Sequence, residues 1–153
     1  MTDGGPRIVR AGTSHVERWA FLRAELWPDA SLPEHRDDIL AQLKGSDDQV
    51  AFLAFDDAGE AIGFAEAALR HDYVNGCDTS PVVFLEGIFV EPSARRRGAA
   101  RALADAIRDW GRARGCIEMA SDADITNGAS HAFHAALGFA ETERVVYFRK
   151  DIG

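Results

Sequence analysis

The sequence predicts an α/β domain built on a mixed sheet, and three observations carry that expectation. VAFLAF (50–55) and AIGFAEAAL (61–69) are apolar runs of strand length joined through DDAGE, the pattern of an antiparallel hairpin. VVFLEGIFV (82–90) is apolar almost without interruption, as in a strand covered on both faces. A helical stretch over 98–114 and then CIEMAS (116–121) follow it. Strand, helix and strand in that order make a right-handed crossover between parallel strands.

The remaining elements fall around this frame. RIVRA (7–11) reads as a short strand. Ser14-x-x-Glu17 is a capping box in which each side chain can satisfy a backbone N–H at a helix start. Val16, Trp19, Leu22 and Leu26 then mark an apolar stripe, and Pro28 stops the helix. A second box, Ser31-x-x-Glu34, opens a helix carrying Ile39, Leu40 and Leu43 and closing at Gly45. RHDYVNGCDTSP (70–81) is a loop of turn formers. In the helix over 98–114, Ala99, Leu103, Ile107 and Trp110 share one side, Arg101 and Asp105 are spaced to pair on another, and Gly115 ends it. A short helix spans 127–136 with Gly138 at its end. The chain closes with a strand near Phe139 and another over RVVYFRK (144–150).

Composition narrows the function classes. The 153 residues suit one domain spanning 1–153, long enough to bury a core without metals or disulfides. Lys and Arg number 17 against 25 Asp and Glu, a net charge of −8. That balance argues against nucleic acid as the main partner, since phosphate contacts need a basic face, and it suits a cationic ligand. No stretch is long and apolar enough to span a bilayer, and MTDGGPRIVR lacks an apolar signal core. Cys77 and Cys116 have neither metal-ligand nor redox spacing; a reducing cytoplasm is the simplest setting, with a disulfide between them as the alternative.

Against this acidity, EPSARRRGAARAL (91–103) sets three arginines side by side. Strand, turn and a helix that begins on small residues make anion-binding geometry. The first helical N–H groups lack intrahelical partners and point outward from the positive end of the dipole. A phosphate can sit there if no bulky side chain blocks the backbone. Gly98, Ala99 and Ala100 leave the approach open, and Arg95, Arg96 and Arg97 add charge. The alternative is a solvated basic turn. The stretch is neither a P-loop nor a dinucleotide fingerprint.

Arg95-Arg96-Arg97-Gly98-Ala99-Ala100 resembles R-x-x-G-x-A, the acetyl-CoA pyrophosphate loop of the GNAT superfamily of N-acetyltransferases. NGASHAFHAALGF (127–139) resembles that superfamily's later motif, in the right order and at the right distance. Within the superfamily, the LWP after the first helix, residues 70–90, EMASD and ALGFAETERVVYFRK resemble the aminoglycoside 6′-N-acetyltransferases, with residues 28–50 the least similar. The resemblance implies the GNAT fold: a mostly antiparallel sheet whose fourth and fifth strands run parallel and splay, admitting the pantetheine arm of acetyl-CoA. It implies direct acetyl transfer to the 6′-amine of an aminoglycoside in a ternary complex, no metal and a homodimer. Another small amine, such as a polyamine or peptide, and a non-catalytic acyl-CoA sensor are the alternatives.

The same resemblance assigns the site. Main-chain N–H groups near Phe89 and Val90 would hold the thioester oxygen, and the Asn127 amide would bond the pantetheine arm, unless it serves only as a helix N-cap. Gly87, costly inside a strand, marks either a bulge that starts the splay or close packing against another backbone. Glu86, a carboxylate inside an apolar run, is expected to be buried and to need a partner or a raised pKa. It would accept the amine proton or bind the cationic substrate; an ion pair with an arginine is the structural alternative. Asp122, at the carboxyl end of the fifth strand, either faces substrate or closes an Asx turn. His134 stands where many relatives carry a tyrosine that protonates the leaving thiolate. An imidazolium can do the same, and a structural histidine is the alternative. Tyr147 is a second proton-donor candidate with a cross-strand role as its alternative. Trp27 and Tyr73 would flank the acceptor, offering faces to sugar rings and cations, with a core anchor ending the first helix as the alternative for Trp27; Glu141 would add negative charge, and is otherwise an exposed carboxylate.

Overall fold

The structure, a computed structural model, describes residues 5–153. Among the described residues five strands form one sheet in sequence order: β1 (Arg7–Arg10), β2 (Gln49–Phe55), β3 (Ala61–Arg70), β4 (Val82–Val90) and β5 (Met119–Ser121). Neighbours from β1 to β4 are antiparallel, and β4 and β5 are parallel. The hairpin turns at Asp56, whose carboxylate accepts from the amides of Ala58 at 3.0 Å and Glu60 at 2.9 Å. This is the local bonding that makes Asp a turn former.

Both faces of the sheet are covered, which explains the unbroken apolar runs. Strand side chains alternate between faces. In β2, Ala51, Leu53 and Phe55 pack with Trp19, Leu22, Ile39 and Phe64 beneath α1 (Val16–Leu26) and α2 (Leu32–Lys44). Val50, Phe52 and Ala54 instead join Val83, Leu85, Leu103, Ile107 and Trp110 beneath α3 (Ala99–Ala113), the β4–β5 crossover. Each large side chain buried this way contributes about 1.5–3 kcal/mol.

Helix starts agree with the sequence at α2 and differ at α1. Ser31 Oγ accepts from the Glu34 amide at 3.3 Å. Before α1 a 3₁₀ turn, Thr13–His15, displaces the expected Ser14–Glu17 box. His15 Nδ1 accepts from the Gly12 amide at 2.9 Å instead, and Glu17 turns outward to Arg36 at 3.0 Å. The expected Arg101–Asp105 pair is also absent among the described residues. Asp105 bonds Arg108, and Arg101 Nη2 donates to the Ala136 carbonyl at 2.6 Å, at the end of α4 (Gly128–Ala136).

The C-terminal strands do not form. β5 is three residues long rather than six, and no helix or strand follows α4. Residues 144–150 have strand-like composition, yet no neighbouring strand takes up their backbone groups. Val146, Tyr147, Phe148 and Ile152 are 77–93% exposed. The cross-strand role expected of Tyr147 is therefore not seen.

Candidate active site

The site is built on an irregularity between β3 and β4. Glu66 pairs with Gly87 and Ala67 with Leu85, so Glu86 is an extra residue, a bulge. Gly87 is glycine for a second reason: a Cβ there would lie 2.6 Å from Trp27 Cη2. The bulge is present, and the close neighbour is an indole rather than another backbone.

Trp27 is fixed by its own main chain. It caps α1, donating from its amide to the Arg23 carbonyl at 2.7 Å. Its carbonyl lies 3.0 Å from His35 Nε2, and a carbonyl can only accept, so Nε2 carries the hydrogen. His35 Nδ1 then accepts from Arg23 Nε at 3.2 Å. Arg23 Nη1 donates to both Glu66 carboxylate oxygens at 2.7 and 2.8 Å, and Trp19 Nε1 donates to Glu66 at 3.0 Å. Burial pushes the Glu66 carboxyl up from its ordinary pKa, while the Arg23 charge and the Trp19 and Arg23 hydrogen bonds pull against it.

Above this network opens a cleft of about 610 Å³ whose lining includes Trp27, Asp38, Gln42, Glu66 and Glu86. The burial expected of Glu86 is not found. Its side chain is 39% exposed, and Arg70 Nη2 donates to it at 3.0 Å. As the extra residue of the bulge it leaves the ladder, which places it at the cleft. The buried carboxylate of this sheet is Glu66.

On its other side β4 parts from β5. β4 and β5 pair only from Val83–Met119 to Leu85–Ser121. Residues 86–90 of β4, with Phe89 and Val90, then run on with no β5 partner, so the two strands form a fork. Past β4 the chain turns through two left-handed residues, Arg96 at φ 67° and Gly98 at φ 82°. α3 begins at once, and no side chain caps it. A Cβ on Gly98 would meet nothing within 4 Å, so its surroundings are open. Ala99 is buried and Ala100 half-buried. Free N–H groups at an open helix start are what a diphosphate needs. Arg96 and Arg97 are exposed beside it. Arg95, exposed as well, donates from Nε to the Val90 carbonyl at 2.9 Å and lies over the Phe89 ring.

His134, on α4, reaches the fork. Its Nε2 lies 2.8 Å from Ser121 Oγ, its Nδ1 2.7 Å from the Ser130 carbonyl, and Phe139 packs edge-on against its ring. Asn127 caps α4, accepting from the Ser130 amide at 3.1 Å. Asp122 follows β5 and is exposed. The Asx turn in this loop belongs to Asp124, which accepts from the Thr126 amide at 2.9 Å. Tyr73 is 74% exposed. Glu141 pairs with Arg144, whose hydrogen bond and charge hold the carboxyl below its ordinary pKa. These two lie on segments that touch, since the space a Gly76 Cβ would need is taken by Thr142.

The structure thus gathers Trp27 and Glu86 at the cleft and the Arg95–Ala100 loop, Phe89, Val90 and His134 around the fork. Tyr73, Asp122 and Glu141 do not line the cleft. Sequence reasoning missed Arg23, Asp38, Glu66 and Ser121. Glu66 carried the signal used for Glu86, a carboxylate within the apolar run AIGFAEAAL; Ser121 carried none.

A family model described as "Acetyltransferase (GNAT) family" matches residues 15–139. The chain belongs to the GNAT acetyltransferase family. Its sheet, with a parallel β4–β5 pair and helices on both faces, is the GNAT fold. An aminoglycoside N(6′)-acetyltransferase type 1 of Salmonella enteritidis is 52% identical over 143 residues, covering 94% of this chain and 97% of that protein. A protein of the same name from Serratia marcescens is 47% identical over 146 residues, covering 95% and 99%. Among solved structures, AAC(6′)-Iy in complex with a bisubstrate analogue, CoA-S-monomethyl-acetylneamine, superposes with a TM-score of 0.90 at 50% identity, covering 96% of this chain and 99% of that one. AAC(6′)-Ih from Acinetobacter baumannii gives 0.93 at 45% identity, covering 97% and 100%. AAC(6′)-Iy has also been solved with CoA, and the open α3 start of this GNAT chain fits the diphosphate of such a donor. Among the described residues no helix is long and apolar enough to cross a membrane.

Proposed function

We propose that this protein is an aminoglycoside 6′-N-acetyltransferase, moving acetyl from acetyl-CoA to the 6′-amine by direct attack in a ternary complex and so conferring resistance. The observation that carries this is the pairing of an uncapped α3 start beside the β4–β5 fork with a carboxylate-lined cleft on the far side of β4. The names of its close full-length relatives support the choice of acceptor.

Each residue then has a role. The first-turn N–H groups after Gly98 hold the diphosphate, with Ala99 and Ala100 leaving room and Arg96 and Arg97 adding charge. Arg95 fixes the loop against β4. Main-chain N–H groups near Phe89 and Val90 polarise the thioester carbonyl in the fork, and Asn127 bonds the pantetheine arm. Glu86 exchanges Arg70 for the incoming ammonium group and receives its proton. Trp27 offers an aromatic face to a sugar ring in the cleft, and Tyr73, outside it, meets the part of the acceptor that extends beyond the cleft. Asp122 and Glu141 add negative charge for a polycationic acceptor, and His134 supplies the proton for the leaving thiolate.

The protein acts as one domain in the cytoplasm and as a homodimer. The exposed apolar arm after α4, with Val146, Tyr147 and Phe148, supports the dimer, because a second copy would cover it.

The test is direct: purified protein is mixed with acetyl-CoA and kanamycin, and free thiol is followed. Thiol release that depends on kanamycin is expected. CoA binding with no turnover on any amine would make the protein an acyl-CoA sensor. Release only with polyamines or peptides would change the acceptor. Glu86→Gln is expected to lose about 100-fold or more in turnover while binding CoA as the parent does.

A further inference from the structure

We propose that Ser121 is a catalytic residue, whose hydroxyl passes a proton from His134 to the departing CoA sulfur. This rests on the proposed function and adds an atom to it. Both nitrogens of the His134 ring are already engaged. Nδ1 lies 2.7 Å from the Ser130 carbonyl, which can only accept, so Nδ1 carries a hydrogen and is engaged. Nε2 lies 2.8 Å from Ser121 Oγ and is engaged as well. Neither ring nitrogen is open to a sulfur atom, and Phe139 packs edge-on against the ring, its centroid 5.4 Å away. A proton leaving this imidazole passes through the Ser121 hydroxyl.

Ser121 stands where such a relay is needed. It is the last residue of β5, paired with Leu85, the last β4 residue before the strands part. Its Oγ also lies 3.2 Å from the Leu85 carbonyl, across the apex of the fork. One hydroxyl hydrogen therefore has two directions. When His134 is neutral, Nε2 has a lone pair and the Ser121 hydroxyl donates to it. When His134 is protonated, Nε2–H donates to Oγ, and the hydroxyl hydrogen turns toward the Leu85 carbonyl or into the fork. Only the protonated state presents a donor to the sulfur, backed by a ready replacement proton.

The step balances. The amine nitrogen bonds to the acetyl carbon and gives its proton to the acceptor side. The C–S bond breaks with its electron pair on sulfur. Sulfur takes the Ser121 proton as Ser121 Oγ takes the proton from His134 Nε2. His134 is left neutral and regains a proton from water. No oxidant or further reactant is required.

Ser121→Ala, His134→Gln and the double variant test the relay. Each single variant is expected to lose about 100-fold in kcat, the lower end of general-acid effects. KM for acetyl-CoA and for the amine, and calorimetric CoA affinity, should stay within about twofold of the parent. The double variant should be no slower than the slower single, because the two residues act in series. A readout independent of turnover is ¹⁵N NMR of the histidine ring: Nδ1 should be protonated in neutral His134, and Ser121→Ala should shift the Nε2 resonance alone. Unchanged kcat in Ser121→Ala, a loss confined to KM or CoA affinity, or losses that multiply in the double variant would each overturn the relay. Absence of acetyl transfer by the parent protein would instead remove the proposed function, and the relay with it.

Discussion

Arg23 and Glu66 meet beneath the cleft with both side chains at least nine-tenths buried. Two such charges leave water at a cost that their attraction and hydrogen bonds must offset. Glu66→Ala strands the Arg23 guanidinium in the core and is expected to cost about 3–5 kcal/mol in urea unfolding. Replacing both, as Arg23→Met with Glu66→Leu, should recover much of that loss. The pair also shows where sequence reasoning stops at this scale. A carboxylate in an apolar strand raises the expectation of burial, and of the two strands that carried one only β3 buries it. Whether Glu66 or Glu86 is buried depends on a bulge that shifts the register by one residue, and no single-strand pattern reveals that. Ser121 was illegible for a different reason: a serine ending a strand becomes a candidate only when another chain segment brings a histidine to it.

Elements covered on both faces were legible almost to the residue, because apolar run length follows strand length. β4 is the clearest case, with the predicted and observed limits identical. β5 was overread, since Cys116 packs into the core without joining the ladder. At the start of α3, Gly98 holds φ 82°, a region costing other residues about 1–2 kcal/mol. Gly98→Val is expected to weaken CoA binding at least tenfold by calorimetry, whereas Arg97→Ala should be mild, as the cradle is mainly backbone. The 71–81 loop is tied down by Glu118, whose carboxylate accepts from the amides of Asp78 at 2.9 Å and Thr79 at 2.7 Å and from the Thr79 hydroxyl. The Thr79 hydroxyl, with those amides, holds the Glu118 carboxyl below its ordinary pKa. A carboxyl lowered in the folded state contributes in full above its unfolded value and loses that contribution as pH falls through the folded one. The protection factors of the Asp78 and Thr79 amides, measured against intrinsic exchange at each pH, should therefore fall as pH drops below the ordinary carboxylate range in the parent. Glu118→Gln should exchange fast throughout.

At the scale of the whole molecule, the hairpin and the crossover followed from the sequence and the mostly antiparallel sheet with its parallel pair from the family resemblance, whereas the C-terminal arm did not. RVVYFRK is a sound strand pattern, but a strand is a relation between chains or segments, and among the described residues no segment pairs with it. The arm variant Val146→Asp with Phe148→Asp puts charge where a dimer would bury apolar surface. It is expected to sediment as a monomer while keeping the parent's far-ultraviolet circular dichroism. An unchanged mass would place any association elsewhere on the surface.

The bond from Arg101 to the Ala136 carbonyl joins the helix that opens on the proposed diphosphate site to the helix that carries His134. If a long cofactor is held at one of these helices and cleaved beside the other, the separation of the two places matters, and this guanidinium is one tie that holds it. Shortening this side chain would leave anchor and cutter individually sound yet out of step, much as a loosened rivet spoils a pair of calipers without blunting either point.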